Sequence, residues 1–578
     1  MQQSGLRFLL PYMQPYRGAL ARGALYAFIG ASASAFSPTL LGWAIDDVLK
    51  GVSPTKLGLY ALGIIGLAGT LALFRYLLRM LTGQIAAGVS YQMSMDLFAS
   101  ILRFDRTVMQ QYGTGDLLSR GTSDFIYIWR FYSAGFQMSI HALFLIGIGC
   151  ALMAVTSPLL ASVVITMVTV SIIAQTRLGA VLEHSFDRVQ REMALLSAFA
   201  QEHLSAARTL AAYGQEGMAA DAYKQLNDGY AQGNLDFVLR SSAISPLPAL
   251  VVRLAAALVL AIGGAQVIAK TLTIGQYVQF IVYLGLLSGA AQSLSQAFER
   301  LQQGSAAAGR IGEVLRRKPI ITDHPEALAP AMRGHVRFEH VGVRVGQRWV
   351  LRDLSFDVPA GSTLGIVGAT GAGKSTLLSL VGRIIDPERG RITIDGHDVR
   401  QISLKHLRTT VVYVPQETLL FGMSVRDNIA LGMAAVPDAH VHSAARAARL
   451  SNDLAQLPQG LATTVGERGA TLSGGQKQRT AIARALVRDP QVLLLDDSLS
   501  SVDTQTAAEI MAELNAGRDG RTCLIVSQRL ASVREADQII VLDDGQIVER
   551  GNHSELLAQG GRYAAMYRRE LRQAEEQE

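Results

Sequence analysis

Gly361-Ser-Thr-Leu-Gly-Ile-Val-Gly-Ala-Thr-Gly-Ala-Gly-Lys-Ser375 decides the fold of the C-terminal half. A buried-type apolar strand runs into a glycine-rich turn, and Leu377 onward follows a helical pattern. The spacing from Gly368 to Ser375 is that of a phosphate-binding loop in its strand–loop–helix setting. Gly368, Ala369, Thr370, Gly371, Ala372 and Gly373 let backbone N–H groups turn inward around phosphates, at the N-terminus of the helix entered through Thr376. Lys374 is expected to reach the β- and γ-phosphates of ATP, and Ser375 to ligate Mg²⁺. A chance glycine turn would not come with this strand before it and this helix after it.

Downstream, Gln491-Val-Leu-Leu-Leu-Asp496 is an apolar strand ending in a carboxylate. That places Asp496 on the Mg²⁺ side of the same site. Many buried strands end in an Asp, so this string gains its meaning from what precedes it. Between the two lies Thr471-Leu-Ser-Gly-Gly-Gln-Lys-Gln478.

The first half has a different character. The chain has 578 residues, too many for one core. Mean hydropathy is +0.24, and only 17% of residues are charged, as expected of a membrane portion joined to a soluble one. Apolar runs at Ala19–Leu41, Leu57–Phe74, Phe131–Val155, Pro158–Ala174, Ser245–Ile268 and Ile274–Ala291 approach the length needed to cross a bilayer as helices. Arginines such as Arg22, Arg103, Arg120, Arg188, Arg208 and Arg310 fall at the N-terminus, in segments 79–130 and 176–240, or after 295. The opposite loops are short and carry only Lys50, Lys56 and Lys270. The positive-inside rule therefore puts both termini and the long segments in the cytoplasm.

The net charge of +6 is read as loop charge near lipid headgroups, because no basic block is interleaved with aromatics; nucleic acid is not an expected partner. Cys150 and Cys523 are the only cysteines and imply no disulfide framework. Met1 to Arg17 lacks an apolar core followed by a small-residue cleavage site, so no removed signal is expected. Val89–Leu102 and Leu182–Leu210 keep helical spacing beyond the spans. Arg253 and His141 lie within spans; each either contacts cargo or has a local explanation, snorkelling for Arg253 and a bond to a neighbouring helix for His141. Pro246 and Pro248 kink the fifth span or mark its start.

Leu472, Ser473, Gly474, Gly475 and Gln476 form the string LSGGQ. With it, and with the loop ending at Lys374 and Ser375, the chain resembles a multidrug-type ATP-binding-cassette (ABC) exporter half-transporter over nearly its whole length. The resemblance implies a six-helix membrane domain at 1–315, a linker at 316–334, a RecA-like α/β cassette at 335–572 and a tail at 573–578. It implies that LSGGQ completes the ATP site of a second half-transporter. It makes Gln416 the residue that links Mg²⁺ to the coupling helices, with Tyr112–Arg120 and Ala211–Glu216 resembling those coupling regions. It places Asp503 in a loop crossing the dimer seam, and makes Val465-Gly-Glu-Arg-Gly469 an exporter-specific loop.

Three positions depart from the family pattern. Asp497 follows Asp496 where a catalytic Glu is usual; the lost methylene withdraws the carboxylate by roughly 1–1.5 Å, and a misplacement of about 1 Å can cost on the order of 10²-fold. Gln528 stands where a switch His is usual, and an amide cannot exchange a proton at neutral pH. Val345 stands where an aromatic usually stacks on adenine, so that contact is weakened or passes to another side chain such as Trp349.

The expectation is ATP-driven export of a hydrophobic or amphipathic compound, drug or lipid-like, across a bacterial inner membrane. This chain would be the half of a heterodimer whose own site binds ATP but hydrolyses it poorly. A homodimer with two slow sites, and a regulatory subunit of an ATP-gated channel, are the competing readings.

Overall fold

The structure is a computed structural model that describes residues 2–244, 246–433, 435–466, 469, 471–516 and 520–575. It divides into a helical unit, Met1–Arg103 with Tyr112–Lys318, and a second unit, Phe104–Gln111 with Pro319–Glu578.

Among the described residues of the helical unit, six helices are long and apolar enough to cross a membrane. They coincide with the six runs expected from sequence. Most of them are much longer than a span. Pro54–Ile101 and Pro158–Ser205 hold 48 residues each, about 72 Å at 1.5 Å per residue, against a hydrocarbon core of about 30 Å. Their beginnings are marked by the sequence. Ser53 caps the second span from its side chain, with proline at the first helical position. Thr273 and Gln276 form a reciprocal capping box at the start of Ile274–Arg316. The fifth span begins at Leu247, with Pro246 as its cap residue, so the prolines mark a start; Ser245 lies outside the described residues. The third span contains one wide turn, Phe131–Gly135, before Phe136–Thr156. Gly304 makes room for it, since a Cβ there would stand 2.8 Å from the Phe131 Cβ.

The first and sixth spans are joined by polar contacts rather than by apolar surface alone. Tyr283 donates to the Ala35 carbonyl at 2.7 Å, and Gln279 donates to Thr39 Oγ1 at 3.1 Å. Nearer the short-loop end, Asp46 accepts from the Thr273 hydroxyl at 2.5 Å and from the Gly275 N–H at 2.7 Å. Gly42 permits that approach, because a Cβ on it would come within 2.8 Å of the Gly275 carbonyl oxygen. At the opposite end of the sixth helix, Arg310 pairs with the buried Asp124.

Among the described residues, the second unit contains ten strands: β1 (Val336–Val345), β2 (Arg348–Val358), β3 (Thr363–Gly368), β4 (Arg389–Ile394), β5 (His397–Asp398), β6 (Val411–Val414), β7 (Val492–Asp496), β8 (Thr522–Val526), β9 (Gln538–Asp543) and β10 (Gln546–Gly551). The first sheet has the order β2-β1-β4-β5 and is antiparallel throughout. The second has the order β10-β9-β3-β8-β7-β6, parallel except at the β10 edge. Every residue of β3, β7 and β8 is buried, which explains their unbroken apolar runs: a parallel strand is covered on both faces. A helical layer of Asp438–Ala447, Ser451–Gln456 and Gly474–Leu486 packs through Val441, Ala444, Ile482 and Leu454 into the core that includes β7 and β8 residues.

Candidate nucleotide site and signature helix

The loop after β3 leads into the helix Lys374–Val381. Gly371 and Gly373 have φ of 83° and 100°, backbone that side chains rarely adopt. A Cβ on Gly373 would also stand 2.6 Å from Leu351 Cδ2. These two glycines therefore satisfy a geometric requirement of the loop.

A cavity of about 360 Å³ opens over the loop. Thr370, Gly371, Gly373, Lys374, Ser375 and Thr376 form one wall; Gln416, Asp496, Asp497 and Gln528 form another. Lys374 Nζ donates to the carbonyls of Gly368 at 2.8 Å and Ala369 at 2.9 Å. Burial holds its ammonium below the ordinary value, with Asp497 and Asp496 opposing that shift. Ser375 Oγ donates to Asp496 Oδ1 at 2.9 Å, and the Tyr413 hydroxyl donates to Asp496 Oδ2 at 2.7 Å.

Asp497 is held differently. It has φ of 45°, in the left-handed region that Asp tolerates better than most residues. Its Oδ1 accepts from the Gln528 backbone N–H and its Oδ2 from the Gln416 side-chain amide, both at 3.3 Å. Burial pushes its carboxyl above the usual range, and the Gln528 N–H opposes that. The residue after β7 thus joins the segments that follow β6 and β8 at this carboxylate.

The signature string forms the beginning of the helix Gly474–Leu486. Leu472 is buried, and Ser473 caps the helix in a reciprocal box with Gln476. Neither Ser473 nor Gly474 is buried, and no residue of Leu472–Gln476 lines the cavity above Lys374. The loop that contains Asp503 packs directly on this helix start. The Ser501 N–H donates to Gln478 Oε1 at 2.8 Å, and Gln478 Nε2 donates to Ser500 Oγ at 3.1 Å. A Cβ on Gly475 would come 3.1 Å from the Ser501 carbonyl oxygen. Asp503 accepts the Thr506 N–H at 2.8 Å, and that bond holds its carboxyl below the usual range. Arg479 clamps the signature helix to Asp453 through two bonds of 2.8 Å.

Val345 ends β1 and is 65% exposed. Trp349 does not line the cavity; the guanidinium groups of Arg344 and Arg389 both lie over its ring, and it is Val350 that lines the cavity beside the phosphate loop. Of the exporter-type loop 465–469, Glu467 and Arg468 lie outside the described residues, as do residues 576–578 of the tail.

Three contributors were not singled out from sequence: Tyr413, which fixes Asp496; Gln478, which holds the Asp503 loop; and Val350. The one available signal for Tyr413 was its place in the apolar run Val411–Val414 that leads toward Gln416.

Residues 21–291 match the family described as ABC transporter transmembrane region, and residues 351–500 match the one described as ABC transporter. The chain is 34% identical to the "Probable multidrug resistance ABC transporter ATP-binding/permease protein YheI" of Bacillus subtilis, over 93% of this chain and 92% of that protein. It is 31% identical to an ATP-dependent lipid A-core flippase of Aromatoleum aromaticum, over 98% of this chain and 96% of the relative. Its fold is similar to that of a bacterial Atm1-family ABC exporter with ATP bound, at a TM-score of 0.83 and 27% identity, covering 96% of this chain and 98% of the other. A six-helix membrane unit joined to an α/β cassette with this loop, strand and signature belongs to the ABC transporter family, as an exporter half-transporter.

Proposed function

We propose that this chain is one half of a heterodimeric exporter that moves a hydrophobic or amphipathic compound outward across a bacterial inner membrane, and that its own nucleotide site binds ATP but hydrolyses it slowly. Residues 1–315 would form the pathway and 335–572 the cassette, joined by the linker at 316–334, with the cassette and both termini cytoplasmic. The multidrug and lipid-flippase descriptions of its relatives support such a cargo.

The observation that carries the slow-site reading is the tethering of Asp497. A general base must present its carboxylate to the attacking water. Here both oxygens accept bonds from the chain itself, from Gln528 and Gln416. Gln528 cannot relay a proton in place of the usual imidazole. The phosphate loop and Lys374 keep the features needed to hold ATP. Ser375 Oγ and Asp496 Oδ1, 2.9 Å apart, are oxygen donors suited to a hard divalent cation, with the Gln416 side-chain oxygen as a further candidate. Mg²⁺ bound there would neutralise charge on phosphate oxygens.

In this reading Leu472–Gln476 closes over ATP on the partner's loop, and closure of the paired cassettes drives the membrane units to open outward. A homodimer with two slow sites is the second reading, favoured by the intact phosphate loop and signature on one chain.

Purification of this chain alone is the test. Nucleotide binding with slow turnover is expected, and uphill accumulation in vesicles is expected only after a second half-transporter is added. Brisk turnover and transport by the lone chain would overturn the heterodimer. Purely downhill flux with the partner present would favour a channel subunit.

A further inference from the structure

The helical unit contains an open cavity of about 290 Å³ lined within one subunit. Tyr26 comes from the first span, Phe74 and Arg75 from the second, Gln137 and His141 from the third, and Ser293 from the sixth. Among the described residues, no carboxylate lines it. Among the described residues the Arg75 guanidinium has neither an ion pair nor a hydrogen-bond partner. His141 Nε2 is buried without a partner. The aromatic rings of Tyr26 and Phe74, with centroids 5.7 Å apart, give the cavity an apolar flank.

Counting along the helices gives its distance from the short-loop ends. Arg75 is 21 residues beyond Pro54 (75 − 54), about 32 Å along the axis. Ser293 is 19 residues beyond Ile274 (293 − 274), about 29 Å. His141 is 15 residues before Thr156 (156 − 141), about 23 Å. All three helix ends lie at the short loops. For a hydrocarbon core of about 30 Å that begins at the short loops, these distances would put the cavity toward the cation-rich side. Arg75 is exposed at that depth, where it presents its charge to the cavity mouth, and no carboxylate of the cavity lining occupies it.

We propose that this intrasubunit cavity binds the acidic headgroup of an amphiphile, phosphate or carboxylate, with its alkyl chain against Tyr26 and Phe74. Arg75 supplies the charge and a forked set of donors, and Gln137, His141 and Ser293 supply further polar contacts. That the bound amphiphile is cargo rests on the exporter reading above; that it binds does not. The amphiphile is either a lipid of the inner leaflet or a dissolved acid that partitions to the same depth.

The test uses the full-length protein in nanodiscs of phosphatidylcholine, with radiolabelled dodecyl phosphate as probe and empty discs subtracted. Saturable retention is expected, with dodecyltrimethylammonium and dodecyl maltoside failing to compete. R75Q should weaken retention about ten-fold or more, the range of a lost charged hydrogen-bond pair. R75K should stay within about three-fold of wild type, which separates loss of charge from misfolding. Gly30 offers a steric test, since a Cβ there meets Phe74 and Leu71 at ordinary contact, 3.7 and 3.8 Å; Gly30→Ile should fill the cavity and abolish retention. Equal competition by the cationic probe, or unchanged retention in R75Q, would overturn the proposal. Phosphatidylglycerol doped into the discs distinguishes the sources: competition identifies a lipid, and its absence a dissolved amphiphile. Retention without ATP-dependent accumulation of dodecyl phosphate in vesicles would leave the site standing and remove the exporter reading.

Discussion

The Gln528 backbone N–H donates to Asp497 Oδ1 at 3.3 Å, so the two departures from the family's catalytic pattern are bonded to each other. In the slow-site reading proposed above, one is a carboxylate short of the usual reach, the other an amide in place of an imidazole, and both bear on the same chemical step. This contact makes the slow-site reading testable in both directions.

Loss of function should be small. In the assembled transporter, Asp497→Asn or Lys374→Ala should lower total ATP turnover by less than removal of the partner's corresponding acid. A steady-state turnover assay checks this. Abolition of turnover by Asp497→Asn would refute the slow site.

Gain of function should be cooperative. Asp497→Glu restores reach and Gln528→His restores a proton carrier. Because both side chains would serve the same proton transfer, the double variant should exceed the product of the single effects. We expect each single variant to raise turnover at this site less than about three-fold, and the pair about ten-fold or more. Strict additivity would mean that the two do not share a step.

Asp497 also has a pH signature. Burial raises its folded-state pKa above that of the unfolded chain. The folded protein therefore holds the proton more tightly, and this group's effect on stability worsens as pH rises from the unfolded pKa through the folded one. At neutral pH the buried charge is a cost, so Asp497→Asn should raise the cassette's Tm by roughly 2 °C. The gain should shrink as pH falls through the carboxylate range. Differential scanning fluorimetry across pH checks the sign, and a loss of Tm at neutral pH would contradict it.

The signature helix start is exposed, while its clamp is not. Ser473→Arg should leave nucleotide binding by this chain intact and reduce turnover of the assembled transporter about ten-fold or more, since the side chain would stand at the surface expected to meet the partner's ATP. Arg479→Ala acts by another route. Its pair with Asp453 is largely buried, at 12% and 13% exposure, and removal of one member should cost about 3 kcal/mol of cassette stability. Equal stability of wild type and Arg479→Ala in urea would rule out that role.

Much of this was legible in the chain. The spans were visible because crossing helices must be apolar for about 20 residues, and β3 and β7 because strands buried on both faces do not alternate. The phosphate loop was visible because Gly373 sits where a Cβ would strike Leu351. What escaped detection depends on tertiary approach. Tyr413 looks like any strand aromatic until β6 is paired with β7 and its hydroxyl meets Asp496. Trp349 looked free to stack on a base, but β1 and β4 bring Arg344 and Arg389 against its ring. The wide turn at Phe131–Gly135 has no local signature, because it answers to Gly304 on another helix.

The clasp between Asp46 and the beginning of the sixth helix bears on how the chain is made. Asp46 leaves the ribosome more than two hundred residues ahead of Thr273 and Gly275, and until they arrive its carboxylate lacks the two donors that hold it in the finished protein. The last segment to insert thus completes the cap left open by the first, and closure of the bundle becomes a late step of biogenesis rather than a product of neighbours zipping up in order.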